Sequence, residues 1–412
     1  MSQSGKGPSG LAKNKSPRML SETDVNPVMV PEICRDGKTF YVCEVCGFLY
    51  KEKLWAERCQ EYCAKHNACS MDITRHSVQE EAKPKKRPKA LVLLSGGLDS
   101  MLAAKLIVDQ GVDVEAVHFS TPFSKHDDKL IHRFCEELGV GLHRVFLGQE
   151  YLDMLVSPKH GYGSQMNPCV DCRILTFTKA KRLAEEVGAD FLVTGEVLDE
   201  RPFSQRRDLM LLIEKEAGLE GKILRPLSAK VLAESEPEKE GIVNREEFFG
   251  FRGRRRVPQM ELARKLGIRK YPNPSGGCLL TDPRFAERLK EHLNHEGSLS
   301  LLDAELLKTG RHFRVNGAKV IVGRNKDENG KLQSIAEKHS LALIEVIGYM
   351  GPLTVLAGEA DPETVKTAAA ITARYSDAEE GINVKVRYRT GEDEEVLETK
   401  PITDQELGSF TV

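Results

Sequence analysis

Six residues, Ser95-Gly96-Gly97-Leu98-Asp99-Ser100, join an apolar run from Ala90 to Leu94 to a segment with Met101, Leu102, Ala104, Leu106 and Ile107 at helical spacing. A strand that enters a helix through paired glycines is suited to hold phosphate. Gly96 and Gly97 let backbone N–H groups approach an anion, and the helix N-terminus adds the positive end of its dipole. Ser95 and Ser100 add hydroxyl donors, and Asp99 can help hold the Mg2+ that accompanies a pyrophosphate. The plain alternative is an ordinary strand-turn-helix junction. The lysine of a G-x-x-x-x-G-K-[ST] loop is absent, so the motif does not point to γ-phosphoryl transfer.

Ten cysteines form the second source of chemistry, and only Cys34 and Cys135 stand apart from the clusters. Cys43-x2-Cys46-x12-Cys59-x3-Cys63 has zinc-finger spacing with a thiol at every ligand position. Gly47 closes the first knuckle, and Cys59 and Cys63 lie one turn apart on a helix expected over 53–65, so four thiolates can close a tetrahedron around Zn2+. His66 or Cys69 could replace one ligand, and buried free thiols are the alternative. A module this small needs its metal to fold. In the second cluster, Cys169 and Cys172 of Asn167-Pro168-Cys169-Val170-Asp171-Cys172 open a helix, and Cys278 follows Pro274-Ser275-Gly276-Gly277. The helix dipole should lower the pKa of the Cys169 and Cys172 thiols, while Gly276 and Gly277 allow close approach of the loop carrying Cys278. The three thiols are open to a persulfide mechanism resolved as a disulfide, with Asp171 tuning a thiol, to a structural zinc site, or to unrelated core positions.

SGGLDS resembles the signature of the PP-loop ATP pyrophosphatases, which implies cleavage of ATP between the α- and β-phosphates and adenylation of a carbonyl oxygen. TGEVLDERPFSQR, Thr194 to Arg206, resembles a stretch of the tRNA 4-thiouridine synthetases, with one extra residue ahead of Ser204-Gln205. That match implies Thr194, Gly195, Glu196, Ser204 and Gln205 at the nucleotide rim. The CxxC with distal Cys278 resembles the iron-sulfur-dependent tRNA thiolases, and NPCVDCRILTF resembles the tRNA 2-thiouridylases. The resemblance implies a 4Fe-4S cluster on Cys169, Cys172 and Cys278 with one iron open to hydrosulfide, and with Asp99 it implies the catalytic set. The 4-thiouridine synthetases that use persulfide chemistry carry a rhodanese domain, and no such module is recognisable toward the C-terminus, a departure that favours free sulfide and a cluster; the expected sulfur partner is sulfide or a cysteine-desulfurase-derived donor. The activity so implied is an ATP-dependent tRNA sulfurtransferase that replaces a uridine carbonyl oxygen with sulfur. Alternatives are a PP-loop enzyme with a nitrogen nucleophile, forming a nitrile or lysidine, and an RNA-binding protein that uses ATP only as a structural ligand.

The elements that must position these groups follow from periodicity. From Ala90 to about Leu232, short apolar runs alternate with amphipathic helices, as expected of an α/β fold with a doubly wound parallel sheet. Strands are expected at 114–119, 141–147 and 191–194, which puts Ser95, His118 and Thr194 at one carboxyl rim, where such sheets bind ligands. Gly250 to Arg256 reads GFRGRRR, and Arg252, Arg254, Arg255 and Arg256 are candidate RNA-phosphate contacts, although no aromatic residues interleave with these arginines to give a stacking platform. Beyond Lys308 the pattern becomes α+β. Asp361-Pro362-Glu363 opens a helix, and Val384, Val386 and Tyr388 alternate with Lys385, Arg387 and Arg389. Gly323-Arg324-Asn325 and the order of elements resemble an NFACT-type RNA-binding domain; a packing domain that forms a homodimer is the alternative.

The chain of 412 residues is too long for one core. Its expected organisation is a disordered tail (1–38), a four-cysteine zinc module (39–80), a basic linker (81–89) whose Lys83, Lys85, Lys86, Arg87 and Lys89 could touch RNA, a PP-loop domain (90–307) and an α+β RNA-binding-like domain (308–412). The net charge is −2, so any nucleic-acid surface must be a local patch. No apolar run is long enough to span a bilayer and the N-terminus has no apolar signal region, so the expectation is a cytoplasmic protein with tRNA as partner and no membrane association.

Overall fold

A computed structural model describes residues 29–35, 38–66, 68–78, 87–124, 128–272, 278–379 and 381–412. They belong to two compact units, Met1–Lys86 and Arg87–Val412. Lys83, Lys85, Lys86 and the stretch Pro274 to Gly277 lie outside the described residues. Among the described residues, no helix is long and apolar enough to cross a membrane.

The first unit is a three-stranded antiparallel sheet, β1 (Glu32–Arg35), β2 (Lys38–Val42) and β3 (Leu49–Tyr50), followed by α1 (Lys53–His66) and α2 (Met71–Thr74). β1 corrects the expected tail of residues 1–38, because Glu32–Arg35 pairs with β2 in the register Ile33 to Phe40. The strand is too short to show alternation, and the Asp36-Gly37 dipeptide is the one hairpin signal the sequence offers there. Gly47 adopts φ +77° and donates its N–H to the Cys43 carbonyl at 2.7 Å, closing the expected knuckle. Val30, Tyr50 and Ala56 pack around Cys43, Cys59 and Cys63 as the core of this unit.

The second unit begins with β4 (Lys89–Leu93), so Lys89 starts a strand and does not belong to the linker; it pairs with Glu115 at 2.8 Å. There follow α3 (Leu98–Asp109), β5 (Asp113–Ser120), α4 (Asp128–Leu138), β6 (Gly141–Phe146), α5 (Gln149–Val156), α6 (Cys169–Val187), β7 (Phe191–Thr194), α7 (Arg207–Ala217) and β8 (Ile223–Leu224). The strands form one parallel sheet in the order β6-β5-β4-β7-β8. Ala90 and Val92 face a core that includes Met101 and Ile107 of α3, whereas Leu91 and Leu93 face one that includes Phe177 and Ala180 of α6. Helices cover both faces, so the strands are apolar throughout and not alternating. The order of strands reverses between β4 and β7, and the crevice at their carboxyl ends is the expected ligand position.

Helices α8 (Glu236–Lys239), α9 (Val257–Lys265), α10 (Pro283–Glu296) and α11 (Leu301–Leu307) lead to the C-terminal sheet. Its strands are β9 (Arg311–Val315), β10 (Ala318–Val322), β11 (Ala342–Val346), β12 (Leu353–Ala357), β13 (Val384–Thr390) and β14 (Asp393–Thr399), antiparallel in the order β14-β13-β11-β12-β10-β9. Asn316 and Gly317, with φ of 48° and 88°, turn the β9-β10 hairpin as a primed turn requires. Residues of α12 (Lys326–His339) cover one face through Ile321, Leu343 and Val355, and α13 (Pro362–Arg374) covers the other through Val320, Ile344 and Leu356.

Candidate functional site

Gly97 caps α3, and Gly96 takes φ +80°, a conformation that favours glycine. The turn is held from within. The Ser100 hydroxyl donates to the Gly97 carbonyl at 2.8 Å and accepts the Ser95 N–H at 3.2 Å, so Ser100 shapes the loop and its hydroxyl is already engaged. Leu98 is buried in an apolar cluster with Leu102 and Leu262, which leaves only its backbone to face the crevice. His118 on β5 is bonded through Nδ1 to the Leu94 carbonyl at 2.8 Å and lies 3.9 Å from Asp128. Its role is therefore to hold the end of β4.

Thr194, Gly195 and Glu196 leave β7 directly beside this turn. A Cβ on Gly195 would lie 2.4 Å from Asp99 C and Ser100 N, so the first turn of α3 packs on a bare backbone. Leu93, Ser95, Asp99, Thr194, Glu196 and Gln205 line one crevice, together with Arg173, Glu200 and Arg201. Glu196 is buried; burial would raise its carboxyl, yet Arg225 at 2.9 Å and Arg173 at 3.4 Å hold it below the usual carboxylate range. Arg225 also bonds Glu214, which fixes both acids inside the domain. Gln205 accepts the Arg201 N–H at 3.1 Å and its carbonyl takes the Asp199 N–H at 2.7 Å, which folds the segment after β7 over the crevice.

Asp99 meets Arg256 at 3.2 Å, and Arg256 also bonds Glu200. Burial and the Glu200 charge push the Asp99 carboxyl up to about 6, against the opposing pull of Arg256 and Arg201. Asp99 Oδ1 and Glu200 Oε2 are buried without a hydrogen-bond partner. Two orphaned carboxylate oxygens at one crevice are donors of the type that suits a hard cation such as Mg2+. Of the four arginines expected to contact RNA, Arg256 is turned into this crevice and Arg252 pairs with Asp199 at 2.6 Å, while Arg254 and Arg255 are exposed. The single surface patch expected from the run is thereby corrected, because a charge run carries no information on which side chains turn inward.

Cys169 and Cys172 sit in the first turn of α6, and Cys172 packs with Cys278 in a cluster containing Tyr151 and Phe123. Burial pushes Cys278 up to about 11 and also raises Cys172, so desolvation outweighs the helix dipole that should lower it. Cys169 accepts the Asn167 amide at 3.1 Å. Asp171 accepts the His160 N–H at 3.0 Å, which anchors the preceding loop and gives it no thiol to tune. Arg173, the residue after Cys172, lines the crevice and lies 3.4 Å from Glu196. Cys172 and Cys278, raised by burial, are not poised as free thiolates.

Sequence reasoning missed Arg173, Glu200, Arg201 and Arg225. Arg173 follows the CxxC directly and could have been inferred as the next residue of that helix turn, whereas Arg225 has no local signal and depends on β8 lying beside β7.

In the first unit, the thiols of Cys43, Cys46, Cys59 and Cys63 lie within 4.8 Å of one another. Cys46 and Cys59 are 3.4 Å apart and Cys59 and Cys63 3.8 Å, near the ~3.8 Å edge of a tetrahedron with Zn–S of about 2.3 Å. Cys69 approaches Cys63 at 3.5 Å. Burial raises Cys46, Cys59 and Cys63, the last to about 12. The donor set therefore fits a soft or borderline divalent ion.

Residues 86–235 match the family described as thiamine biosynthesis protein (ThiI), and residues 310–411 match the NFACT protein RNA binding domain. Each match covers less than half of the chain, so the first region is similar to ThiI proteins and the second to NFACT RNA-binding domains. The ThiI-like region is also similar to tRNA-specific 2-thiouridylases MnmA. The protein of Syntrophotalea carbinolica is 34% identical over 122 residues, covering 27% of this chain and 35% of the relative, and that of Pseudomonas entomophila is 24% identical over 353 residues, covering 77% and 86%. The chain thus spans only about a third of the length of the first of these. Among solved structures, a 4-thiouridine synthetase in complex with RNA and bound ATP is similar at 23% identity over 54% of this chain and 52% of that one, with a TM-score of 0.32.

Proposed function

We propose that this chain is an ATP-dependent tRNA sulfurtransferase that converts a uridine carbonyl to a thiocarbonyl, releasing AMP and pyrophosphate. The observation that carries the reading is the bridge between two sites. α6 carries Cys169 and Cys172 in its first turn, and Arg173, the residue that follows, lines the PP-loop crevice 3.4 Å from Glu196, so one helix joins the thiol site to the ATP-type site.

In the proposed reaction, the backbone N–H groups of the Gly96-Gly97 turn and the N-terminus of α3 take the pyrophosphate portion of ATP. Asp99 and Glu200 hold the Mg2+, and Arg256 limits the repulsion between them. A uridine carbonyl oxygen attacks the α-phosphorus and pyrophosphate leaves. A sulfur nucleophile then adds at the same carbon and AMP departs with the original oxygen. Glu196, fixed by Arg225, orients Arg173 at the crevice wall. Cys169, Cys172 and Cys278 would hold a 4Fe-4S cluster. When bound, it supplies an iron with an open position for hydrosulfide. Zn2+ on Cys43, Cys46, Cys59 and Cys63 is structural, since four protein ligands leave no open position. The tRNA is the proposed partner of the C-terminal domain.

The test is mass spectrometry of nucleosides from total tRNA of a deletion strain, complemented with wild type or a Cys169→Ala variant. One thionucleoside lost on deletion and restored only by wild type is the expected result, and it names the carbonyl that reacts. An unchanged thionucleoside profile refutes the assignment.

A further inference from the structure

The one ring of the GFRGRRR run, Phe251, is stacked on Phe249 at 4.9 Å and packs on an apolar cluster, whereas the first unit has rings beside cations at its surface. Along α1, Ala56, Cys59 and Cys63 are buried in the cysteine cluster and Trp55 packs against its edge, while Arg58, Tyr62, Lys65 and His66 are exposed on the outer face. This outer face and the segment around α2 enclose a cleft of about 480 Å³, lined among others by Trp55, Arg58, Tyr62, Lys65 and Arg75. That volume lies within the ~300–1,000 Å³ usual for small-ligand sites.

The cleft alternates rings and cations. The Trp55 ring is stacked on His76 at 3.7 Å and 8°, and the Arg58 guanidinium lies 5.2 Å from its centroid. Tyr62 is 37% exposed, with its ring 4.3 Å from His66. Arg58, Lys65 and Arg75 outnumber Glu61 and Asp72 among the lining residues, and Asp72 already pairs with Arg75 at 3.5 Å. Planar rings and guanidinium groups at one cleft suit unstacked bases and their phosphates. An acidic peptide would use the cations and leave the rings unused.

We propose that this cleft of the four-cysteine module binds a single-stranded RNA segment, with bases stacked on Tyr62 and the Trp55–Arg58 pair and phosphates against Lys65 and Arg75. The proposal rests on the reading of RNA as substrate and adds a second contact surface to it.

Trp55 is the sole tryptophan of the chain and therefore reports from inside the cleft. Emission of the full-length, zinc-loaded protein is titrated with a uridine dodecamer, with tRNA and with an oligoglutamate, alongside fluorescence anisotropy of the labelled dodecamer. The expected result is saturable quenching by both RNAs and none by oligoglutamate. Arg58→Ala and Tyr62→Ala should each weaken the dodecamer about tenfold, with zinc content and circular dichroism unchanged because neither side chain is part of the cysteine cluster. RNA binding that leaves Trp55 emission unchanged overturns the proposal, as does equal quenching by oligoglutamate or unchanged affinity in Tyr62→Ala. Quenching needs no turnover. An RNA-quenched protein that forms no thionucleoside removes the sulfurtransferase assignment and supports the cleft, whereas thionucleoside formation without quenching does the reverse.

Discussion

Gly195→Ala tests whether the crevice depends on direct contact between the end of β7 and the start of α3. The added methyl carbon would lie 2.4 Å from Asp99 C and Ser100 N and 2.5 Å from Asp99 O, whereas ordinary contact begins at 3.4 Å. The atoms struck are backbone, so no rotamer change relieves them, and one element must move by about 1 Å. Overpacking of that kind costs ~1–3 kcal/mol. At about 2–4 °C per kcal/mol for a domain of this size, melting should fall by roughly 2–12 °C. The displaced atoms belong to Asp99 and Ser100, so the phosphate cradle moves with them. A misplacement of about 1 Å at a reacting centre can cost 10²-fold in rate. The assay is pyrophosphate release with ATP and unmodified tRNA, beside differential scanning calorimetry. Gly330→Ala is the control. A Cβ at Gly330, inside α12, meets nothing within 4 Å, so this change should leave the rate alone and add about 0.5–1 kcal/mol from helix propensity. Pyrophosphate release within twofold of wild type in Gly195→Ala would refute the argument, because it would mean that the cradle does not rest on Gly195.

Cys59→Ser should abolish binding of one zinc per chain and release the amides of residues 29–78 to rapid hydrogen exchange, while the amides of β4 and β7 stay protected; uniform loss of protection would contradict the division into two units. His312 is buried beside Arg288, and burial and that charge lower its pKa from 6.5 to about 3. A lowered pKa means that the stability is fully present above pH 6.5 and is lost as pH falls toward 3, at about 1.4 kcal/mol per unit. His312→Gln, which keeps a donor for the Thr309 carbonyl, should flatten the pH dependence of urea midpoints between pH 6 and 4, and a slope equal to that of wild type would count against this assignment.

The legible part of this protein was local. SGGLDS, the CxxC and the Cys43 to Cys63 spacing are set by neighbours within one turn or one knuckle, so residue type and spacing already point to a phosphate cradle and thiol sites. The apolar runs at Ala90 to Leu94 and Phe191 to Thr194 likewise announce buried parallel strands. What spacing could not reveal is which charges face inward. Arg256 stands 157 residues from Asp99, and Arg225 reaches Glu196 only because β8 lies beside β7. The same holds for the thiols, whose pKa values are raised by burial that the helix dipole alone does not predict. Sequence determined the groups able to do chemistry, because their conformations are set by short-range sterics and hydrogen bonds. Tertiary structure decided their partners and ionisation, because burial and long-range charge pairing exist only once distant segments are packed together.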